Sequence, residues 1–367
     1  MLGIRWCDQF GGPLQGSGFT SEGIDQNPAL YDFLIGNNWR AGPVDSIPDY
    51  LISRAYRRYG MGAVAPADRD PDVASAWTLL EESMYRQDVS VQDFTGIHNL
   101  PGGANWDFRT DPKTKARLPA DSLCKTFHAW SKLIDAAARF TASPSPAGSV
   151  GPGAAAGLAE LTEPMRFDLV DLGRDVLARL TTPVSQQFIA SLGNGTTVGV
   201  DAAECARAGN LYVELMLDLD TLVGTDQAFL LGSWLKMARQ FAGDGAEDCT
   251  PANAGPLVTN CAEFYEWNAR IQLTTWAGGY AGKHWNGLIK GYFAERVKRL
   301  MAAGLAAAAA GKPLPEATIA AVKDALDSEF TQGFNVSYPE TPVGDPVAVA
   351  AQMRRKYSSK FSSCAAP

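Results

Sequence analysis

The chain has 367 residues, which is long enough for two domains and for one large buried core. Hydrophobic residues make up 46% and charged residues 20%, a composition that excludes a disordered protein. The formal net charge of −8 argues against nucleic acid as a partner, because phosphates are bound by clustered Lys and Arg. No apolar run reaches the roughly 18 residues of a membrane-spanning helix, so no membrane span is predicted.

The N-terminal segment differs from the rest of the chain. Residues 16–34 read GSGFTSEGIDQNPALYDFL: glycine-rich up to Gly23, then apolar at helical spacing at Leu30, Phe33 and Leu34. A loop that leads into a helix is typical of the segment after a barrel strand. A whole (β/α)₈ barrel needs about 250 residues. We therefore predict that residues 1–45 are only the C-terminal end of such a barrel.

From residue 46 to residue 367 the sequence predicts a large α-helical domain, so the fold class is mainly α. Strand patterns are nearly absent after Gly60, whereas apolar stripes at steps of three and four recur. The predicted helices cover residues 47–59, 71–85, 167–180, 211–222, 229–241, 264–276 and 283–301. Two segments, 88–119 and 143–157, are rich in Gly, Pro and small polar residues and are predicted to be loops.

The six cysteines form no CxxC pair, and only three histidines are present. No metal site and no cofactor are therefore expected. Cys249 and Cys261 flank a loop-like insert and either close it as a disulfide in an oxidising compartment or remain free thiols. Asn194 and Asn335 begin glycosylation acceptor tripeptides, which matter only in a secreted chain.

The first residues, MLGIRWCDQFGG, lack the basic and apolar regions of a signal peptide. Either the protein is cytosolic or its true N-terminus lies further upstream. We favour the second interpretation, because a lone barrel end would leave strand edges and an apolar helix face exposed.

Several strings, taken in order, resemble the α-N-acetylglucosaminidases of glycoside hydrolase family 89. The N-terminal GSGFTSEGIDQNPALYDFL resembles that family's nucleophile segment. Strings that resemble its helical domain follow in the family's order: YRRYG, AWTLLEESMY, RFDLVDLGRDVL, FLLGSWLKMARQ, FYEWNARIQLTTW, YAGKHWNGLIKGYF and YPETPVGD. The chain departs from the family pattern in two places. The segment before Tyr280 is shortened to WAGGY, and the insert at 243–260 is longer than expected.

The resemblance implies a lysosomal or secreted exo-glycosidase that removes terminal α-linked N-acetylglucosamine from heparan-type glycans with retention. It implies two catalytic glutamates in a cleft between barrel and helical domain. Glu22 matches the nucleophile, whereas no match to the acid/base glutamate is found, so we expect these 367 residues alone to be inactive. Without the resemblance, a Glu in a glycine-rich loop is usually either a solvated side chain or a charge at a helix N-terminus.

The resemblance also places Trp276 and Tyr280 near the cleft, where aromatic rings can stack on a sugar. Packing at the end of a helix is an equally good interpretation of both residues. Arg270 can reach a sulfate of the substrate, but a structural ion pair with a buried carboxylate is favoured. The alternative function is a non-catalytic helical module that binds carbohydrate or another protein. Homo-oligomerisation is left open.

Overall fold

The computed structural model describes residues 18, 28–85, 96–98, 121–142, 161–193, 195, 197–243, 249, 257–276 and 281–364. The predicted nucleophile Glu22, the aromatic Tyr280 and the acceptor Asn194 lie outside these residues. The predicted loop at 143–157 lies outside them entirely, and most of the loop at 88–119 does too.

Helices make up most of the described chain. The α-helices are α1 (Pro28–Asn37), α2 (Ile47–Arg58), α3 (Pro71–Leu80), α4 (Ser122–Ala142), α5 (Glu163–Ser191), α6 (Ala202–Val223), α7 (Leu231–Gln240), α8 (Cys261–Thr274), α9 (Ala294–Ala309), α10 (Glu316–Thr331) and α11 (Pro346–Tyr357). One π turn, Glu81–Tyr85, continues α3, and another, Ile289–Phe293, leads into α9. Short 3₁₀ turns lie at Pro66–Asp68, Gln227–Phe229 and Ser358–Phe361. The described residues form no strand, only an isolated bridge between Leu230 and Asn286. The predicted mainly α fold is confirmed.

Side-chain caps define where several helices begin. An Asp or Asn side chain accepts a hydrogen bond from a backbone N–H in the first turn of α3, α6, α8 and α11, and Ser46 does so for α2. Such a cap satisfies one of the N–H groups that lack a partner within the helix. Asp70, Asp201, Asn260 and Asp345 are the capping residues of the other four helices.

The long helices α5 and α6 pack along each other at the centre of the fold. Helix α4 lies against α5, with α3 packed on α4, and α9 lies against α6. Gly173 of α5 allows the close contact with α4, since a Cβ there would come within 2.7 Å of the Trp130 ring. The indole N–H of Trp130 donates to the carbonyl of Leu169 at 3.0 Å, so its one polar group is satisfied within the core.

Two disulfides join segments of the helical domain. Cys124, near the start of α4, bonds to Cys364, which follows α11, and the two Cα atoms lie 5.5 Å apart. Cys249 and Cys261 close the insert before α8, also at 5.5 Å. Cys205 is a free buried thiol on α6. Within the described part of the chain, no helix is both long and apolar enough to cross a membrane.

Candidate functional site

Helix α1, which begins at Pro28, is held against the next two helices by side-chain contacts. Asp32 of α1 forms an ion pair with Arg54 of α2 at 2.6 Å, and Phe33 packs edge-on against Tyr50 with ring centroids 5.3 Å apart. The Arg54 guanidinium lies 5.4 Å from the ring centroid of Trp77, which belongs to α3. These contacts fasten α1 to one point on the surface formed by α2 and α3.

A second polar network connects α2, α3 and α5 next to this point. Arg58 donates two hydrogen bonds to Asp168, at 2.7 and 2.8 Å, and the Tyr59 hydroxyl donates to the same carboxylate at 2.9 Å. The indole of Trp77 donates in turn to the Tyr59 oxygen at 3.0 Å. Burial and the neighbouring Asp168 raise the pKa of Tyr59 well above its usual value. The network therefore holds a neutral tyrosine and an ion pair that cross-link three helices.

Two histidines from distant parts of the sequence meet at one position. The rings of His98 and His284 stack with centroids 4.8 Å apart and planes 11° from parallel. Phe293 packs edge-on against His98 at 5.1 Å. The turn at residues 96–98 is fixed by two contacts, since the Tyr212 hydroxyl donates to the Gly96 carbonyl and the Gly96 N–H donates to Thr182 at 3.1 Å.

Helix α5 supplies the charged neighbour of this pair. Arg174 Nη1 lies 3.1 Å from His284 Nδ1, and its Nε donates to Asp171 at 2.8 Å. A guanidinium only donates, so Nδ1 is the acceptor and the His284 proton resides on Nε2. Burial, followed by the charges of Lys283 and Arg174, lowers the pKa of His98 to about 4. Burial, His98 and Arg174 also lower the pKa of His284 well below its usual value. Both imidazoles are therefore neutral at mildly acidic pH.

The segment that carries His284 is anchored by Asp220 of α6. The Asp220 carboxylate accepts hydrogen bonds from the Asn286 side chain at 2.9 Å, from the Gly287 N–H at 2.8 Å and from the Lys290 N–H at 3.1 Å. Burial raises the pKa of Asp220 to about 6, although these N–H donors oppose the shift. Gly287 has a φ of +87°, and a Cβ there would lie 2.6 Å from the Tyr338 ring. The backbone at this position thus requires glycine.

Trp276 lies two residues after the end of α8, and half of its surface, 50%, is exposed. It belongs to the same connecting segment as His284, between α8 and the π turn. Tyr280, which also belongs to this segment, lies outside the described residues. Trp285, by contrast, packs against Trp234 of α7 at 5.7 Å. The segment therefore presents one tryptophan to solvent and one to the helices beneath it.

Arg270 is completely buried, which favours the structural alternative for this residue. Its guanidinium forms an ion pair with Glu266 at 2.6 Å and donates to the carbonyls of Phe330 and Gly333, at 3.0 and 3.1 Å. Arg239 forms a second ion pair with Glu266 from the outside. Because the side chain has no exposed surface, a sugar bound at the surface cannot reach it without rearrangement. Arg270 instead joins α8 to α10 and to the loop that follows α10.

His98, His284 and Arg174 are not among the site residues predicted from the sequence. They lie on three segments far apart in sequence, so no local spacing connects them. The scarcity of histidine, three in the chain, was the available signal. Among the described residues, no group of three or more His, Cys, Asp or Glu is arranged to hold a metal ion.

Comparison with known proteins identifies the family. Residues 50–356 match the family described as Alpha-N-acetylglucosaminidase (NAGLU) C-terminal domain. The chain belongs to this family. Human alpha-N-acetylglucosaminidase is 28% identical over 364 residues, which cover 94% of this chain but only 40% of the human protein. The resemblance drawn from the sequence is therefore confirmed.

Solved structures of Clostridium perfringens family 89 glycoside hydrolases share the fold. CpGH89, in complex with its substrate GlcNAc-alpha-1,4-galactose, aligns with a TM-score of 0.62 and 17% identity, over 91% of this chain and 34% of that enzyme. A family 89 enzyme in complex with PUGNAc aligns with a TM-score of 0.59 and 18% identity, over 90% of this chain and 33% of that enzyme. The chain thus spans 40% of its human relative and about a third of the clostridial enzymes.

Proposed function

We propose that these residues form the helical part of a retaining exo-glycosidase that hydrolyses terminal α-linked N-acetylglucosamine. The observation that carries the proposal is the family match over residues 50–356, preceded by the SEGIDQN loop. A helical scaffold does not need that loop, whereas a glycosidase needs it to carry the nucleophile. The acid/base carboxylate is supplied from outside residues 1–367. These residues alone are therefore expected to show no turnover.

The chemistry of the substrate requires an enzymic nucleophile. In an α-linked N-acetylglucosaminide the 2-acetamido group lies on the same face as the leaving group, so it cannot attack from behind. A glutamate on the opposite face can form a glycosyl ester, which water then hydrolyses. We assign this role to Glu22. Its partner, at about 5–5.5 Å, protonates the departing oxygen and later deprotonates the water.

The connecting segment between α8 and the π turn supplies the sugar-binding surface in this proposal. The half-exposed ring of Trp276 stacks on the apolar face of the pyranose, and the Tyr280 hydroxyl orients a sugar hydroxyl or carboxylate. The stacked His98–His284 pair lies at the other end of the same segment. Its low pKa values keep it neutral, which suits contact with uncharged sugar hydroxyls.

Heparan-type chains that end in α-linked N-acetylglucosamine are the proposed natural substrate. Such chains are degraded after secretion or in the lysosome, and the protein is accordingly assigned to one of these compartments. The two disulfides support an oxidising environment during folding. Arg270 contributes indirectly, by joining helices beneath the surface rather than by contacting sulfate.

Azide rescue tests the role assigned to Glu22. The protein purified from its own cells, with Glu22 replaced by Ala, is incubated with an N-acetyl-α-glucosaminide that has an activated leaving group. Added azide should restore turnover and yield the β-glycosyl azide, because azide enters on the face that the missing carboxylate occupied. An α-glycosyl azide would identify Glu22 as the acid/base residue instead. Sugar binding without turnover by the unmodified protein would favour the non-catalytic module.

A further inference from the structure

The loop after α10 is held rigidly from beneath. The Val336 N–H donates to the Gly333 carbonyl at 3.0 Å and closes a tight turn. The buried Arg270 donates to the carbonyl of Gly333 at 3.1 Å and to that of Val336 at 3.5 Å. Arg239 donates to the Phe334 carbonyl at 3.4 Å. Two arginines thus bind the backbone carbonyls of this turn.

Asn335 lies at the outer side of this turn. The side chains of Asn335 and Ser337 are both exposed, and Val336 between them is 49% exposed. The three residues form an Asn-X-Ser acceptor in which the middle residue is not proline. A glycan on such an acceptor is bulky, so the asparagine that carries it must lie at the surface of the folded protein.

The surface around Asn335 leaves room for a glycan. Residues 335–338 form a ridge between two open cavities, one beside α10 and one beside α7. The α7 cavity is bordered by the exposed pair of Lys236 and Glu340, joined at 2.6 Å. Neither cavity is enclosed by helices on its outer side, so a sugar on Asn335 extends from the surface without displacing the core.

We propose that Asn335 carries an N-linked glycan. The Asn335 Nδ2 attacks C1 of the first N-acetylglucosamine of a lipid-diphosphate-linked oligosaccharide. The new C1–N bond forms as the C1–O bond to the lipid diphosphate breaks, and the transferase removes the amide proton. The two disulfides indicate folding in an oxidising compartment such as the one in which this transfer takes place. The proposal needs entry into the secretory pathway but is independent of hydrolase activity.

Peptide mapping of the protein purified from its own cells tests this site. After digestion with peptide-N-glycosidase in heavy-oxygen water, the peptide that contains Asn335 should lose a glycan and appear with a labelled aspartate. Asn335→Gln and Ser337→Ala should abolish the label at this peptide. Ser337→Thr, which preserves the acceptor, should retain it and provides the matched control.

The proposal is overturned if the Asn335 peptide is recovered mainly without modification from protein in which both disulfides have formed. Disulfide formation shows that such protein has passed through the oxidising compartment, so failed secretion cannot account for that result. Because the test reads mass rather than turnover, its outcome is separate from that of the hydrolase experiments.

Discussion

The rings of His98 and His284 lie 4.8 Å apart and nearly parallel, although the two residues are far apart in the sequence. The stack connects the turn at residues 96–98 to the segment that also carries Trp276. A ligand that contacts this histidine pair therefore meets side chains whose geometry depends on long-range packing.

Replacement of His98 by Gln should make the protein less sensitive to acid. The native pKa of about 4 lies below the unfolded value of 6.5, so the unfolded chain binds a proton that the folded chain excludes. The stabilisation that comes from the neutral His98 is complete above pH 6.5 and is lost as the pH falls towards about 4. From neutral pH to about pH 5, wild type should lose about 2 kcal/mol through this residue, and His98→Gln should not. Thermal unfolding at the two pH values measures the difference.

Two comparisons make the histidine result specific. Asp220 acts in the opposite sense: its raised native pKa favours the protonated folded state, so its effect stabilises the protein as the pH falls through about 6. This effect is common to wild type and variant and cancels between them. His128→Gln on α4 provides the matched histidine control. Equal acid sensitivity in wild type and His98→Gln would contradict the account.

Replacement of Arg270 by Ala distinguishes a structural role from substrate binding. The change leaves the buried Glu266 with only its outer partner, Arg239, and removes donors from three carbonyls. Breaking a buried ion pair in this way should cost about 3–5 kcal/mol in the free energy of unfolding, measured by denaturant titration. Asp324→Ala, at an exposed carboxylate, should cost less than about 0.5 kcal/mol. Unchanged stability of Arg270→Ala together with weaker substrate binding would reverse the assignment.

Trp276→Ala should raise the KM for substrate and leave the unfolding transition nearly unchanged, because half of the ring surface is already exposed. Trp285→Ala is the comparison, since this ring packs against Trp234 and its loss should destabilise the fold by roughly 2–4 kcal/mol. Steady-state kinetics and thermal unfolding of both variants provide the test. A large stability loss in Trp276→Ala with an unchanged KM would identify it as a packing residue.

The two disulfides should differ in their contribution to stability. Cys124 and Cys364 are 240 residues apart in sequence, whereas Cys249 and Cys261 are 12 apart. In the chain-entropy model, closing the longer loop raises the free energy of unfolding by about 5 kcal/mol, and closing the shorter loop raises it by about 3 kcal/mol. Cys124→Ser with Cys364→Ser should therefore lower the midpoint of denaturation more than the matched double replacement at the shorter loop. The opposite order would show that chain entropy does not dominate here.

Periodicity predicted much of the fold, including the helices that became α2, α5 and α6. The same periodicity is present in α4, although no helix was predicted there. Its apolar residues Leu123, Phe127, Trp130 and Ile134 recur at steps of four, three and four. The N-cap and proline pair Asp345–Pro346 likewise marks the start of α11. These helices were available to sequence reasoning.

The site was less predictable, for a physical reason. Glu22 and Trp276 are predicted as site residues because each belongs to a string that resembles the family. The contacts of His98 depend on how α5, α6 and the segment before α9 pack, and no local pattern encodes that packing. The burial of Arg270 depends similarly on α10, a helix that was not predicted.

The most direct test of the account is hydrolysis of a chromogenic N-acetyl-α-glucosaminide by protein purified from its own cells, with and without Glu22→Gln. The exposed Glu316→Gln at the start of α10 serves as the matched control. We predict that Glu22→Gln lowers kcat by a factor on the order of 10³ or more while Glu316→Gln retains wild-type turnover. Near-normal turnover by a folded Glu22→Gln protein would contradict the assignment of Glu22 as the nucleophile.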